Sequence, residues 1–292
     1  RNQFGFSLGG PVFLPKIYDG RNRTFLFGSY QGTRNRTSTP GALRTMPTEA
    51  MKRGDLSAFL GADGGGRIRD PDAPGQYFPN NQIPMSRFDP VSAKLLAFIP
   101  ASTMSNYQYR FNTPTNRNDD DQMMLRADHL VNTRHRLTAR YFLLTVDRPW
   151  VTIPDNLTYI TAGQQGHIHS ITATHTYTAP RFLNELGFTF HGSTPNATPP
   201  SDLPTFESLG ARIKTVPGFP TMVLSISNWS GIDLGLGYYN GQRTYQATNT
   251  STYVTGRQNL RFGVDYKNFL LDKSSFFLSG GTASFTGQLL SD

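Results

Sequence analysis

The stretch GHIHSITATHTYTAPRFLNELGFTFH, Gly166–His191, decides how the chain is read. From Ser170 to Thr178 every even position carries a hydroxyl: Ser170, Thr172, Thr174, Thr176 and Thr178. Ile171, Ala173, His175 and Tyr177 stand between them. A strand points successive side chains to opposite faces, so this segment has one hydroxyl face and one mostly apolar face. After Ala179-Pro180-Arg181, whose proline ends a strand, alternation resumes. Phe182, Leu186, Phe188 and Phe190 now stand against Glu185, Gly187 and Thr189. The spacing predicts a two-sided hairpin.

Working outward, the same alternation recurs in Gln3–Val12, Thr24–Thr33, Gln122–Val131, Leu137–Leu143, Tyr245–Val254, Asn259–Leu270 and Ala283–Leu289. With the hairpin this makes nine candidate strands. Tight turns alternate with long excursions, the largest at 34–121 and 192–243. In the first, Thr48 predicts a short helix through Lys52. Asp89-Pro90, an N-cap carboxylate before a proline at the first helical position, predicts a second, with Val91, Leu95, Leu96 and Ile99 on its apolar side. Gly61–Asn81 reads as flexible chain rich in Gly, Pro and Asn.

Composition narrows the class. Aromatic residues make up 12% of the 292, while charged residues are only 16%; disorder requires the opposite balance. Cys is absent, which removes disulfides and thiolate metal sites. No run of apolar residues is long enough for a spanning helix. The net charge of +8 raises nucleic acid or an anionic lipid surface as partners. Nucleic acid is disfavoured, because the strand aromatics lie opposite the charges instead of interleaving with them.

Alternation alone does not separate a soluble sandwich from a membrane wall. Candidate strands that mostly run roughly nine to eleven residues do, because a tilted strand needs about that length to cross a bilayer. The rhythm of short and long connections is that of outer-membrane barrels. Arg126, Asp128, Arg140, Glu185, Arg261 and Asp265 all fall on the polar set and are expected to face the lumen. An Arg facing lipid at midplane costs about 2–4 kcal/mol. Tyr141, Tyr177 and Tyr266 are expected at the membrane interfaces; His129 and His175 fall on the apolar set, near the rim.

RNQFGFSLGGPVF (Arg1–Phe13), RTFLFGSYQGTR (Arg23–Arg34), TMPTEAMKRGDLSAF (Thr45–Phe59) and NNQIPMSRFDPVSAKLLAFIP (Asn80–Pro100) resemble the Oar-like TonB-dependent outer-membrane transporters of acidobacterial type. So do DDDQMMLRADHLVNTRHRLTARY (Asp119–Tyr141), LNELGFTF (Leu183–Phe190) and TGRQNLRFGVDYKNF (Thr255–Phe269). The resemblance implies an all-β, antiparallel up-and-down transmembrane β-barrel, here an incomplete wall of about nine strands out of 22, with long extracellular loops holding short helices. It also implies that the signal, carboxypeptidase-regulatory-like domain, plug and coupling box lie outside residues 1–292. The implied function is capture and import of a scarce solute of siderophore, glycan or peptide class. The implied partners are outer-membrane lipid and lipopolysaccharide, the inner-membrane TonB complex and the solute, with no nucleic acid, at the bacterial outer membrane. Trp150, Phe219, Trp229, Tyr238 and Tyr239 are the candidate substrate-facing loop aromatics. A passive adhesin or surface-assembly barrel, and a soluble carbohydrate-binding β-sandwich, are the competing readings.

No catalytic signature stands out, and neither an enzyme nor a cofactor is expected. His167-Ile168-His169 offers two imidazoles on one strand face, and Asp119-Asp120-Asp121 a run of carboxylates. Without supporting ligands nearby in sequence, the first reads as a surface pair and the second as a solvated acidic turn. Gly61–Gly66 lacks the Lys-Ser/Thr of a P-loop.

Overall fold

The computed structural model describes residues 1–38, 41, 43–61, 66–112, 114–217, 221–234, 237–276 and 279–286. Eight long strands dominate it: β1 (Asn2–Pro11), β2 (Thr24–Thr37), β3 (Asn116–Leu130), β4 (His135–Arg148), β5 (Gln164–Ala179), β6 (Phe182–Ser193), β7 (Tyr238–Thr255) and β8 (Gln258–Ser275). Each pairs antiparallel with the next in sequence. The two-residue strand Asn196–Ala197 joins the same sheet beside β5 and β7. Among the described residues β1 and β8 are its edges. The short turns 12–23, 131–134, 180–181 and 256–257 gather at one end of the meander, and the stretches 38–115, 149–163 and 194–237 at the other. In the tightest of these turns Gly256 has φ +57°, which a residue without Cβ adopts freely.

Residues directly opposite in a ladder share a face. One row therefore runs Arg126–Arg140–Thr172–Thr189–Gln246–Lys267 across β3 to β8. The row beside it runs Ala127–Ala139–Ala173–Phe188–Ala247–Tyr266. The polar and apolar sets thus stay in phase along these rows from β3 to β8, while on β2 Phe25 and Phe27 share the face of Asp128 and Arg126. On β8 the apolar set runs from Leu260 to Leu270, which at about 3.3 Å per residue and a 40° tilt covers about 25 Å of bilayer.

Burial is inverted relative to a soluble sandwich. Leu260, Phe262, Val264 and Tyr266 are 51–72% exposed, whereas the fully buried hydrophobics all lie outside the eight long strands. No described helix is long and apolar enough to cross a membrane.

The strands β2 to β8 run 12 to 18 residues, longer than the sequence predicts. Their outer ends carry a ladder of charges beyond the apolar band. Arg34 pairs with Asp121 at 2.7 Å, Arg36 with Asp119, and Arg117 with Asp147. Asp119-Asp120-Asp121 is therefore paired strand, not an acidic turn, and the large insertion narrows from 34–121 to 38–115. The excursion expected at 192–243 narrows likewise to 194–237.

The candidate strand Ala283–Leu289 is not a ninth wall strand. Thr282–Phe285 pairs parallel with Val223–Ile226, which pairs antiparallel with Trp229–Asp233, so all three belong to the long-loop end. Leu289 lies outside the described residues.

That end is a folded cap. The helices α1 (Glu49–Lys52), α2 (Pro90–Leu96) and α3 (Phe206–Leu209) stand where capping chemistry starts them. Thr48 Oγ1 accepts from Met51 N, Asp89 Oδ1 from Val91 N and Ser92 N, and Thr205 Oγ1 from Ser208 N. α2 stops at Leu96, short of Ile99. Leu95, Leu157, Phe206, Leu209, Met222, Leu224, Ile232 and Leu234 form one core, and Met46, Ile99 and Phe111 a second. Part of the expected flexible stretch is also built: Asn81, fully buried, donates to Gly66 O and accepts from Ile68 N.

Candidate functional site: the polar face and the loop cap

The register puts all six predicted lumen residues on one face. Arg126 and Arg140 are directly opposite, Glu185 faces Thr176 and Thr250, Asp265 faces Thr248, and Arg261 faces Thr252. Two arginines face to face repel. Asp128 draws Arg126 aside with bonds of 2.7 and 3.0 Å, and itself accepts from Thr138 Oγ1 at 2.8 Å. Asp265 accepts from Gln246 Nε2 at 2.8 and 2.9 Å. The side chains of Arg140, Glu185 and Arg261 pair with no described residue, so this face presents unneutralised charges of both signs.

The loop aromatics are not brought to one place. Trp229 packs edge-on to Tyr107 and Phe59, at 5.9 and 6.4 Å, where two of the long stretches meet. Trp150 lies against Gly163, where a Cβ would stand 2.7 Å from its Cδ1. Tyr238 and Tyr239 belong to β7 instead of a loop: Tyr238 shares the face of Asp265, and Tyr239 the apolar face. Phe219 lies outside the described residues.

Trp150 does line a cleft of about 360 Å³ together with Arg44, Tyr159, Thr161 and Asp233, drawn from three separate stretches. Its volume is at the lower end for small-molecule sites. The Arg44 side chain pairs with no described residue. Nothing in the sequence signals that Arg44 meets Trp150 and Tyr159, because more than a hundred residues separate it from both. Ion pairing stiffens the cap elsewhere. Arg87 bonds Asp70 at 2.7 Å and holds that carboxyl below its usual range, and the Thr215 backbone N–H does the same to Glu207.

The histidines on the apolar face are satisfied locally. His135 Nδ1 and His175 Nε2 lie 2.9 Å apart beside the short turns, under Tyr177, and His129 bonds Thr24 at 2.7 Å. Of the three interface tyrosines, Tyr177 is beside a turn, while Tyr266 sits in the middle of β8. His169 bonds Tyr141 at 2.9 Å. Among the described residues no group of three metal-ligating side chains forms.

A family model described as an outer membrane beta barrel domain matches residues 1–292. The chain belongs to that family. Its place is the outer membrane, in keeping with the outward apolar band. No curated protein matches. Among solved structures, the ferric-catecholate import receptor Fiu of E. coli K12, in its open form, aligns at 12% identity with a TM-score of 0.40. The alignment covers 94% of this chain and 38% of that receptor.

Proposed function

We propose that the chain forms part of the wall and outer cap of a TonB-dependent receptor that captures a scarce solute and imports it, with no catalytic chemistry of its own. The observation that supports this best is a polar strand face carrying unpaired Arg140, Glu185 and Arg261 that leads to a folded cap with a cleft. Fixed charges of both signs give a hydrated path for a polar solute at little cost in water, whereas lipid would penalise each of them. The order of motifs shared with Oar-like transporters supports energy coupling through the plug that such receptors carry. The solute is of siderophore, glycan or peptide class, taken up first at the cleft around Trp150 and Arg44.

The test compares deleted and complemented cells in defined rich medium, following solute depletion with and without a protonophore. Depletion that needs both the gene and the proton-motive force is the expected outcome. Gene-dependent depletion that survives the protonophore would replace the reading with a passive channel, and no gene-dependent depletion at all would leave an adhesin.

A further inference from the structure

The charge of this chain is unevenly placed. The long stretches 38–115, 149–163 and 194–237 hold ten basic and ten acidic side chains, so they contribute nothing to the net +8. At the opposite end, every one of the four short turns carries arginine: Arg21 and Arg23, Arg134, Arg181 and Arg257, joined by Lys16. The one carboxylate in those turns, Asp19, is held by Arg21 at 2.6 Å. All six basic side chains are exposed, and those of Lys16, Arg134, Arg181 and Arg257 pair with no described residue.

Their placement is built into the backbone. The carbonyls of Arg23, Arg134 and Arg181 accept from Leu130 N, Thr178 N and Val254 N at 2.7, 2.9 and 2.9 Å, so three of the four turns are stitched to the strand beyond them in the same way. Successive turns are two strands apart, about 10 Å, which is close to the Debye length at physiological salt, so their fields overlap into one collar. Immediately beside the collar the outward face carries Tyr177, Phe182 and Tyr253, amphipathic or large aromatic residues suited to the headgroup boundary.

We propose that this collar binds the phosphates of anionic phospholipid headgroups in the leaflet that meets the short turns. Free guanidinium groups beside an apolar band lie at the depth of a lipid phosphate, and arginine matches that oxygen pair bidentately. A neutral long-loop end beside a basic short-turn end also orients the protein toward the leaflet richer in anionic phospholipid.

The full chain is inserted into vesicles of phosphatidylcholine alone or with one-third phosphatidylglycerol, and its folding equilibrium is followed by urea titration. Phosphatidylglycerol is expected to raise the folding constant by about fivefold for each basic side chain engaged. The combined Lys16→Gln, Arg134→Gln, Arg181→Gln and Arg257→Gln variant is expected to lose most of that gain, as is the native chain in 1 M salt. A control with Arg53→Gln, Arg110→Gln, Arg212→Gln and Lys214→Gln in the long stretches keeps it. Equal response of the two variants, or no response of the native chain, overturns the proposal. A gain that appears with soluble glycerol phosphate in place of the lipid assigns the collar to free phosphate instead.

Discussion

Val264 offers the sharpest test of what touches the apolar face. It is 72% exposed, lies near the centre of the Leu260–Leu270 row on β8, and stands opposite Asn249. In water, replacing so exposed a residue by arginine stays within about 0.5 kcal/mol. Against hydrocarbon at midplane the same change costs about 2–4 kcal/mol, which is about thirty- to seven-hundred-fold in the folding constant. Gln246→Arg is the paired control: it lies on the opposite face, where Asp265 already accepts from Gln246 and receives the new guanidinium. Both variants are inserted in lipid vesicles and titrated with urea, with heat-dependent gel migration reporting the folded fraction. If Val264→Arg is as mild as Gln246→Arg, or if their order is reversed, the outward band is not lipid-facing and the assignment of faces fails.

Met222, fully buried in the main cap core, gives a second test: Met222→Ala should cost about 2–5 kcal/mol locally and raise amide exchange in α2 and in the hairpin Val151–Thr161 together, leaving β5 and β6 unchanged. Asn81→Ala removes both bonds of a buried amide, at about 1–3 kcal/mol, and should make the chain around Ile68 the first site of proteolytic nicking. The Arg21 guanidinium lowers Asp19 from 3.8 to about 2. A depressed carboxylate pKa contributes stability that is complete above its ordinary value and lost as pH falls through the folded one. The Phe13–Leu14/Tyr18–Asp19 hairpin should therefore hold at pH 4 and loosen toward pH 2, and Arg21→Gln should move that loosening to higher pH, as read from the Tyr18 ring signals by NMR.

The wall was legible because period-two alternation and two-residue turns are local signals. Ser170–Thr178 against Phe182–Phe190 carries its register in its own sequence, and β7 with β8 does the same around Gly256. The cap was not legible. Met222, Leu224, Ile232 and Leu234 find their partners in Leu95 and Leu157, far away in the chain, and prolines and glycines between them hide any period. Ala283 and Phe285 alternate as a wall strand would, but alternation does not say which sheet a strand joins; the pairing with Val223–Ile226 does. Asp119, Asp120 and Asp121 looked like a turn because the arginine partners of Asp119 and Asp121, Arg36 and Arg34, lie across the largest insertion, and that of Asp120, Arg148, lies at the far end of the next strand. Tyr239 shows a finer limit, since a β7 longer than expected moved it from a loop to the apolar face.

The eight residues of the main cap core arrive on three tethers, the stretches after β2, β4 and β6, and Ala283 from a fourth, after β8, packs against them; each tether is anchored in a different part of the sheet. No tether can swing aside alone without baring the apolar side chains of the others to water. In the import proposed above, admission of a solute past this cap requires the shared core to part as one unit, at a rate set by its weakest seam instead of the floppiest single loop.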